Sequence, residues 1–113
     1  MSHTVTLTDI KVSLDSVVAA AEFLGYQFSP NKKVTFYDGR SVAGLAVQLP
    51  AWRREVVFGE DGQIQYDNYH GSWVDIKELN RFIGYTMMDM NHEDLSSVIV
   101  VDEKDGQIIF ETR

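Results

Sequence analysis

The alternation of apolar and polar positions along the chain predicts two helices set among short strands. Residues 4–12 open with strand character: Val5 and Leu7 alternate, then Ile10 and Val12 resume one position out of step. Strand side chains alternate faces, so that slip requires a bulge or bend near Thr8 and Asp9. Leu14, Val17, Val18, Ala21 and Leu24 then recur at helical spacing, predicting a helix over residues 14–24. Ser13 stands where a hydroxyl accepts a first-turn amide proton, and Gly25 supplies the left-handed stop. Ser29-Pro30-Asn31 breaks the pattern, because proline lacks a donor and restricts the residue before it. Short strands follow at residues 34–37, 42–49, 55–58 and 63–66, with turns at Asp38-Gly39 and Asp61-Gly62 and a stop at Pro50.

A second helix is expected after Ser72, with Ser72 as its cap and Asp75 closing a capping box. Its apolar stripe reads Ile76, Leu79, Ile83, Met87 and Met90, with Phe82 beside it. Asn91-His92-Glu93-Asp94 ends it, and residues 98–101 and 107–111 form a last hairpin around Lys104-Asp105-Gly106. The order predicts an α+β fold, one domain over residues 1–113, in which two helices pack on one face of a largely antiparallel sheet of about six to seven strands.

Charge and composition narrow the function classes. Seventeen acids against ten bases give a net charge of −7, a field opposed to nonspecific binding of a phosphate backbone. Cysteine is absent, which removes disulfides, thiolate metal sites and thiol nucleophiles together. No apolar run reaches the roughly 18–20 residues of a membrane span, and the first residues lack the pattern of a secretory signal. A protein of the cytoplasm is expected. His3, His70 and His92 share no ligand spacing, so neither a metal site nor a cofactor is expected. No nucleophile elbow and no glycine-rich phosphate loop occurs.

The candidate chemistry gathers in two loops. The first, Tyr66-Asp67-Asn68-Tyr69-His70-Gly71-Ser72-Trp73, holds three aromatics, a histidine, an acid and an amide where a strand hands over to a helix. One reading is a recognition surface: Tyr69 and Trp73 as platforms, Asp67, Asn68 and His70 as hydrogen-bonding groups, with a nucleotide or other small anion at the helix N-terminus. The other is a structural corner, in which Tyr66 and Trp73 bury their rings, Asn68 and Gly71 turn the chain and Ser72 caps. The second loop sets Trp52 between Pro50 and Arg53-Arg54, an exposed aromatic with basic neighbours suited to anchoring a protein partner. Met88, off the apolar stripe, is a further partner candidate. A non-enzymatic accessory or interaction domain follows, with a protein partner or self-association.

A family resemblance rests on Met1-Ser2-His3, Leu24-Gly25-Tyr26, Tyr37-Asp38-Gly39, Leu49-Pro50, Tyr66-Asp67-Asn68-Tyr69, Gly71-Ser72-Trp73 and Leu79-Asn80-Arg81-Phe82. The chain resembles the small uncharacterised proteins related to the product of chloroplast open reading frame 35, found in plastids, cyanobacteria, other bacteria and some phages. The resemblance implies a compact α+β domain and no reaction. The chain departs from the family at residues 91–97, where members commonly carry a longer, more charged second helix.

Overall fold

In a computed structural model, residues 4–7, 10–68, 74–104 and 107–112 are described. The fold is α+β, with all its strand pairs antiparallel among the described residues. Strand β1 (Thr4–Leu7) precedes helix α1 (Leu14–Leu24). A meander of β2 (Phe28–Thr35), β3 (Ser41–Val47), β4 (Val56–Phe58) and β5 (Ile64–Asp67) follows, then helix α2 (Ile76–Met90), β6 (Val98–Lys104) and β7 (Gln107–Thr112). The first five strands make one sheet in the order β1-β5-β4-β3-β2, whereas among the described residues β6 and β7 pair only with each other. The expected sheet of six to seven strands is therefore a five-stranded sheet plus a separate ribbon, whose strand β7 lies against α2.

Helix α1 matches its expected bounds. Ser13 has extended geometry, but its hydroxyl makes no capping bond; only its carbonyl serves, accepting Val17 N at 3.0 Å. Gly25, at φ 75°, closes a Schellman turn in which Tyr26 N reaches Ala21 O at 2.8 Å. The cap of α2 departs from expectation. Asp75 itself is the N-cap, its carboxylate accepting Lys77 N at 3.0 Å, and Ser72 lies outside the described residues.

Along β3 and β4 the alternation sorts side chains into two cores. Leu45, Val47, Val56, Phe58, Ile64 and Tyr66 join Val17, Ala20 and Ala21 of α1 and Leu79, Phe82 and Ile83 of α2 in the main cluster. Phe82 meets Phe58 edge-on at 5.7 Å between ring centroids, and Tyr26 also packs against it, tilted, at 5.8 Å. Ala46 and Val57 point the opposite way and meet Val34, Phe36 and Val42 in a smaller cluster.

The buried face of α2 is rotated from the expected stripe. Leu79, Phe82, Ile83, Tyr85 and Thr86 are buried, while Ile76, Met87 and Met90 are exposed. The Tyr85 ring packs tilted against Phe23 of α1, 5.7 Å between centroids, and the Thr86 hydroxyl donates to Phe82 O at 3.0 Å, which accommodates its polar atom in the core. Met88, expected as an exposed contact, is partly buried against the main cluster.

Among the described residues, two that are not glycine hold left-handed backbone. Ala51, at φ 66°, is the third residue of the turn closed by Trp52 N to Leu49 O at 3.2 Å, where Pro50 sets the second position. His92, at φ 63°, ends α2 in a Schellman turn, with Glu93 N reaching Met88 O at 3.0 Å. Glycine escapes the side-chain clash at such angles, although it adds entropy to the unfolded chain. Ala51→Gly and His92→Gly are each expected to stabilise by about 0.5–1 kcal/mol, measured as a rise in the urea midpoint.

Candidate functional site

The meander places the chemistry at the β2–β3 hairpin. Its ladder pairs Ser29 with Ala46 and then Lys32 with Gly44, so Pro30 and Asn31 together face only Leu45. This bulge accounts for proline inside a strand, which sequence reading takes as a break: β2 is the sheet's edge, where a missing donor costs no ladder bond. Opposite the bulge, Gly44 touches β4 so closely that an added Cβ would lie 2.7 Å from Phe58 O. Bulge and glycine together bend the hairpin's outer half, and bulges raise local twist in this way.

On one side of the bend, the hairpin tip reaches β5. Tyr37 N donates to Asp67 Oδ2 at 2.5 Å, although β2 and β5 are separated by two strands in the sheet. Asp67 is 2% exposed, and the Arg54 guanidinium stands beside it, Nε to Oδ2 3.2 Å. That nitrogen is outside hydrogen-bonding geometry, so the contact acts through charge more than direction. Asp67 thus ties three segments together: the end of β5, the hairpin tip and the loop before β4.

On the other side of the bend lies a cleft of about 760 Å³. Leu14 of α1, the bulge residues Pro30 and Asn31, Ala43, Gly44 and Leu45 of β3, and Phe58 form its apolar and amide lining. Lys32 and Lys33 stand on one rim, and Glu60 and Asp61 of the β4–β5 turn on the other. Lys32 is engaged elsewhere, with Nζ 2.5 Å from Glu55 Oε1. The Asp61 carboxylate accepts Gln63 N at 3.1 Å within its own turn. Lys33 and Glu60 make no ion pair among the described residues. Leu45 and Phe58 are nearly wholly buried, so Leu14, Pro30 and Ala43 supply the accessible apolar surface.

A second hollow, of about 490 Å³, lies where the start of α1 meets the end of α2, lined by Ser13, Ser16, Asp89, Met90, His92 and Glu93. Its carboxylates complement the amide-rich end of α1, an arrangement unsuited to an anion. Among the described residues no group of three acids or histidines could hold a metal ion, and no helix is long and apolar enough to cross a membrane.

The residues singled out from sequence are placed as follows. Tyr69, His70 and Trp73 lie outside the described residues; Asn68 is exposed at the end of β5. The anion position at the start of α2 is occupied by the Asp75 carboxylate. Trp52, expected to be exposed, is 5% exposed in the main core, its ring 5.7 Å from Tyr66 and edge-on. Its backbone turns inward after Pro50-Ala51, and Gln48 Nε2 fixes that turn by donating to Leu49 O at 3.0 Å and Trp52 O at 2.5 Å. The indole N–H has no acceptor among the described residues. Burial raises the Tyr66 phenol above its ordinary pKa. Burial and then the Glu78 carboxylate do the same for Tyr26, whose hydroxyl lies 3.4 Å from Glu78 Oε2. Arg53 is exposed, whereas Arg54 turns to Asp67.

Sequence reading does not single out Lys33, Ala43 or Glu60; it takes Asp67 as a hydrogen-bonding group of the aromatic loop, and in the structure that carboxylate accepts Tyr37 N. One local signal was present: a glycine inside a strand, Gly44, marks a bulge or a close backbone approach. No family model, curated protein or solved structure matches the chain.

Proposed function

We propose that this chain is a non-enzymatic accessory domain of the cytoplasm that docks a protein partner in the cleft of the bent β2–β3 hairpin, and that it belongs with the chloroplast open reading frame 35 relatives it resembles. One observation carries the docking reading. The cleft offers an accessible apolar patch, a side-chain amide and two charged groups without internal ion pairs, all beside an exposed sheet edge. Apolar surface ringed by polar groups is how protein interfaces are built, and an open edge supports an extended segment.

The test is selection of binding sequences from a displayed peptide library, followed by amide shift mapping on the labelled protein. Selected peptides are expected to shift Lys33, Ala43, Gly44 and Glu60. Ala43→Trp, which fills the cleft from an exposed position, is expected to abolish binding while thermal unfolding stays within a few degrees of the parent. Failure to select any peptide, or selected peptides that bind the Trp variant equally well, overturns the reading.

A further inference from the structure

Resting on the docking reading above, we infer that the cleft selects an extended peptide whose successive side chains are acidic, apolar and basic. The assignment comes from the order of groups across the bend. Lys33 pairs with Ala43 across the hairpin, so its side chain leaves the sheet on the same face as Ala43 and, two residues on, Leu45. Glu60 lines the same cleft two residues past Phe58, the end of β4, so the strand order sets it across β3 from Lys33. A cation, an apolar floor and an anion therefore follow one another across a single depression. Lys33 and Glu60 keep their charges without an ion-pair partner among the described residues.

The matching occupant carries the same three properties with the charges inverted. Three extended residues span roughly 10 Å, a length suited to a cleft of about 760 Å³. A central side chain rests on Leu14, Pro30 and Ala43, flanked by a carboxylate on Lys33 and an ammonium or guanidinium on Glu60. Asn31, exposed in the bulge at the floor's edge, offers an amide donor and acceptor to the peptide backbone. A peptide with two like charges meets repulsion at one rim, and the rest of this acidic protein gives a uniformly basic peptide only long-range attraction that salt removes.

The test uses capped peptides with the cores Asp-Leu-Lys, Asp-Leu-Asp, Lys-Leu-Lys and Asp-Ser-Lys, labelled for fluorescence anisotropy against the whole chain. Asp-Leu-Lys is expected to bind about fivefold or more tighter than either like-charged peptide at physiological salt, and Asp-Ser-Lys to bind weakly. Lys33→Glu is expected to weaken Asp-Leu-Lys about tenfold and to strengthen Lys-Leu-Lys, a gain that unfolding cannot produce. Equal binding of the three leucine peptides overturns the inference but leaves peptide docking intact, provided Ala43→Trp abolishes it. Binding of free leucine as tight as the peptide assigns a small-molecule site, and dimerisation lost with Ala43→Trp assigns a second copy; each overturns the inference. No binding by any peptide, from these or from the library, sinks both readings.

Discussion

Asp67→Ala is expected to lower the unfolding free energy by about 3 kcal/mol, in urea titrations followed by tryptophan fluorescence. The carboxylate is nearly fully buried, and removing it strands two groups at once: the Tyr37 amide and the Arg54 guanidinium. An unsatisfied buried donor costs about 1–3 kcal/mol, and an uncompensated cation adds to that, although Arg54 recovers part of its hydration because its side chain is 34% exposed. Asp67→Asn retains an acceptor for Tyr37 N and is expected to lose roughly half as much. The Tyr37 amide reports the geometry directly, exchanging with solvent much faster in the alanine variant. A loss below about 1 kcal/mol with unchanged exchange would show that the hairpin tip is held by other contacts.

Gly44→Ala is expected to cost about 2–3 kcal/mol. Its Cβ would approach Phe58 O to 2.7 Å and Val57 Cγ1 to 3.0 Å. The nearer atom is backbone of Phe58, at the end of the β3–β4 ladder, so relief requires the two strands to part there. The bend opens with them, and the cleft loses its shape. Peptide affinity is therefore expected to fall along with stability. Ala43→Gly, at the exposed neighbouring position, is expected to cost less than about 1 kcal/mol. Equal effects at the two sites would mean that general strand propensity, and not close approach, governs the hairpin.

How much of this was legible in the chain depends on whether the cause is local. Helix α1 was readable to the residue, because Gly25 and the Leu14-Val17-Ala21-Leu24 spacing act within a few positions. The hairpin turns at Asp38-Gly39 and Asp61-Gly62 were readable for the same reason, with Gly39 at φ 87° and Gly62 at φ 83°. The rotation of α2 was not. A stripe drawn by hydropathy runs through Met87 and Met90, whereas the core takes Tyr85 and Thr86 because Phe23 and a helix carbonyl accommodate them. Trp52 illustrates the same limit. Its near sequence neighbours include a proline and two arginines, yet its packing partner Tyr66 lies in β5. Asp67 reads in the sequence as a hydrogen-bonding group of the aromatic loop, but its partners, the hairpin tip and Arg54, are brought to it only by folding.

A turn position for Trp52 and a place off the apolar stripe for Met88 suggest exposure in the sequence, but both side chains are taken up by the core. The cleft is not legible there because its parts come from α1, β2, β3 and the β4–β5 turn, none unusual alone. A glycine opposite a proline-containing edge strand was the visible trace.

The placement of β1 has a consequence for how the protein is made. Residues 4–7 leave the ribosome well before residues 64–67, yet among the described residues β5 is their partner in the sheet. While the ribosome is still adding the intervening segment, the meander β2 to β5 is assembled from neighbours, but β1 must wait. A short synthetic copy of that strand, supplied in excess during refolding, should take its place along β5.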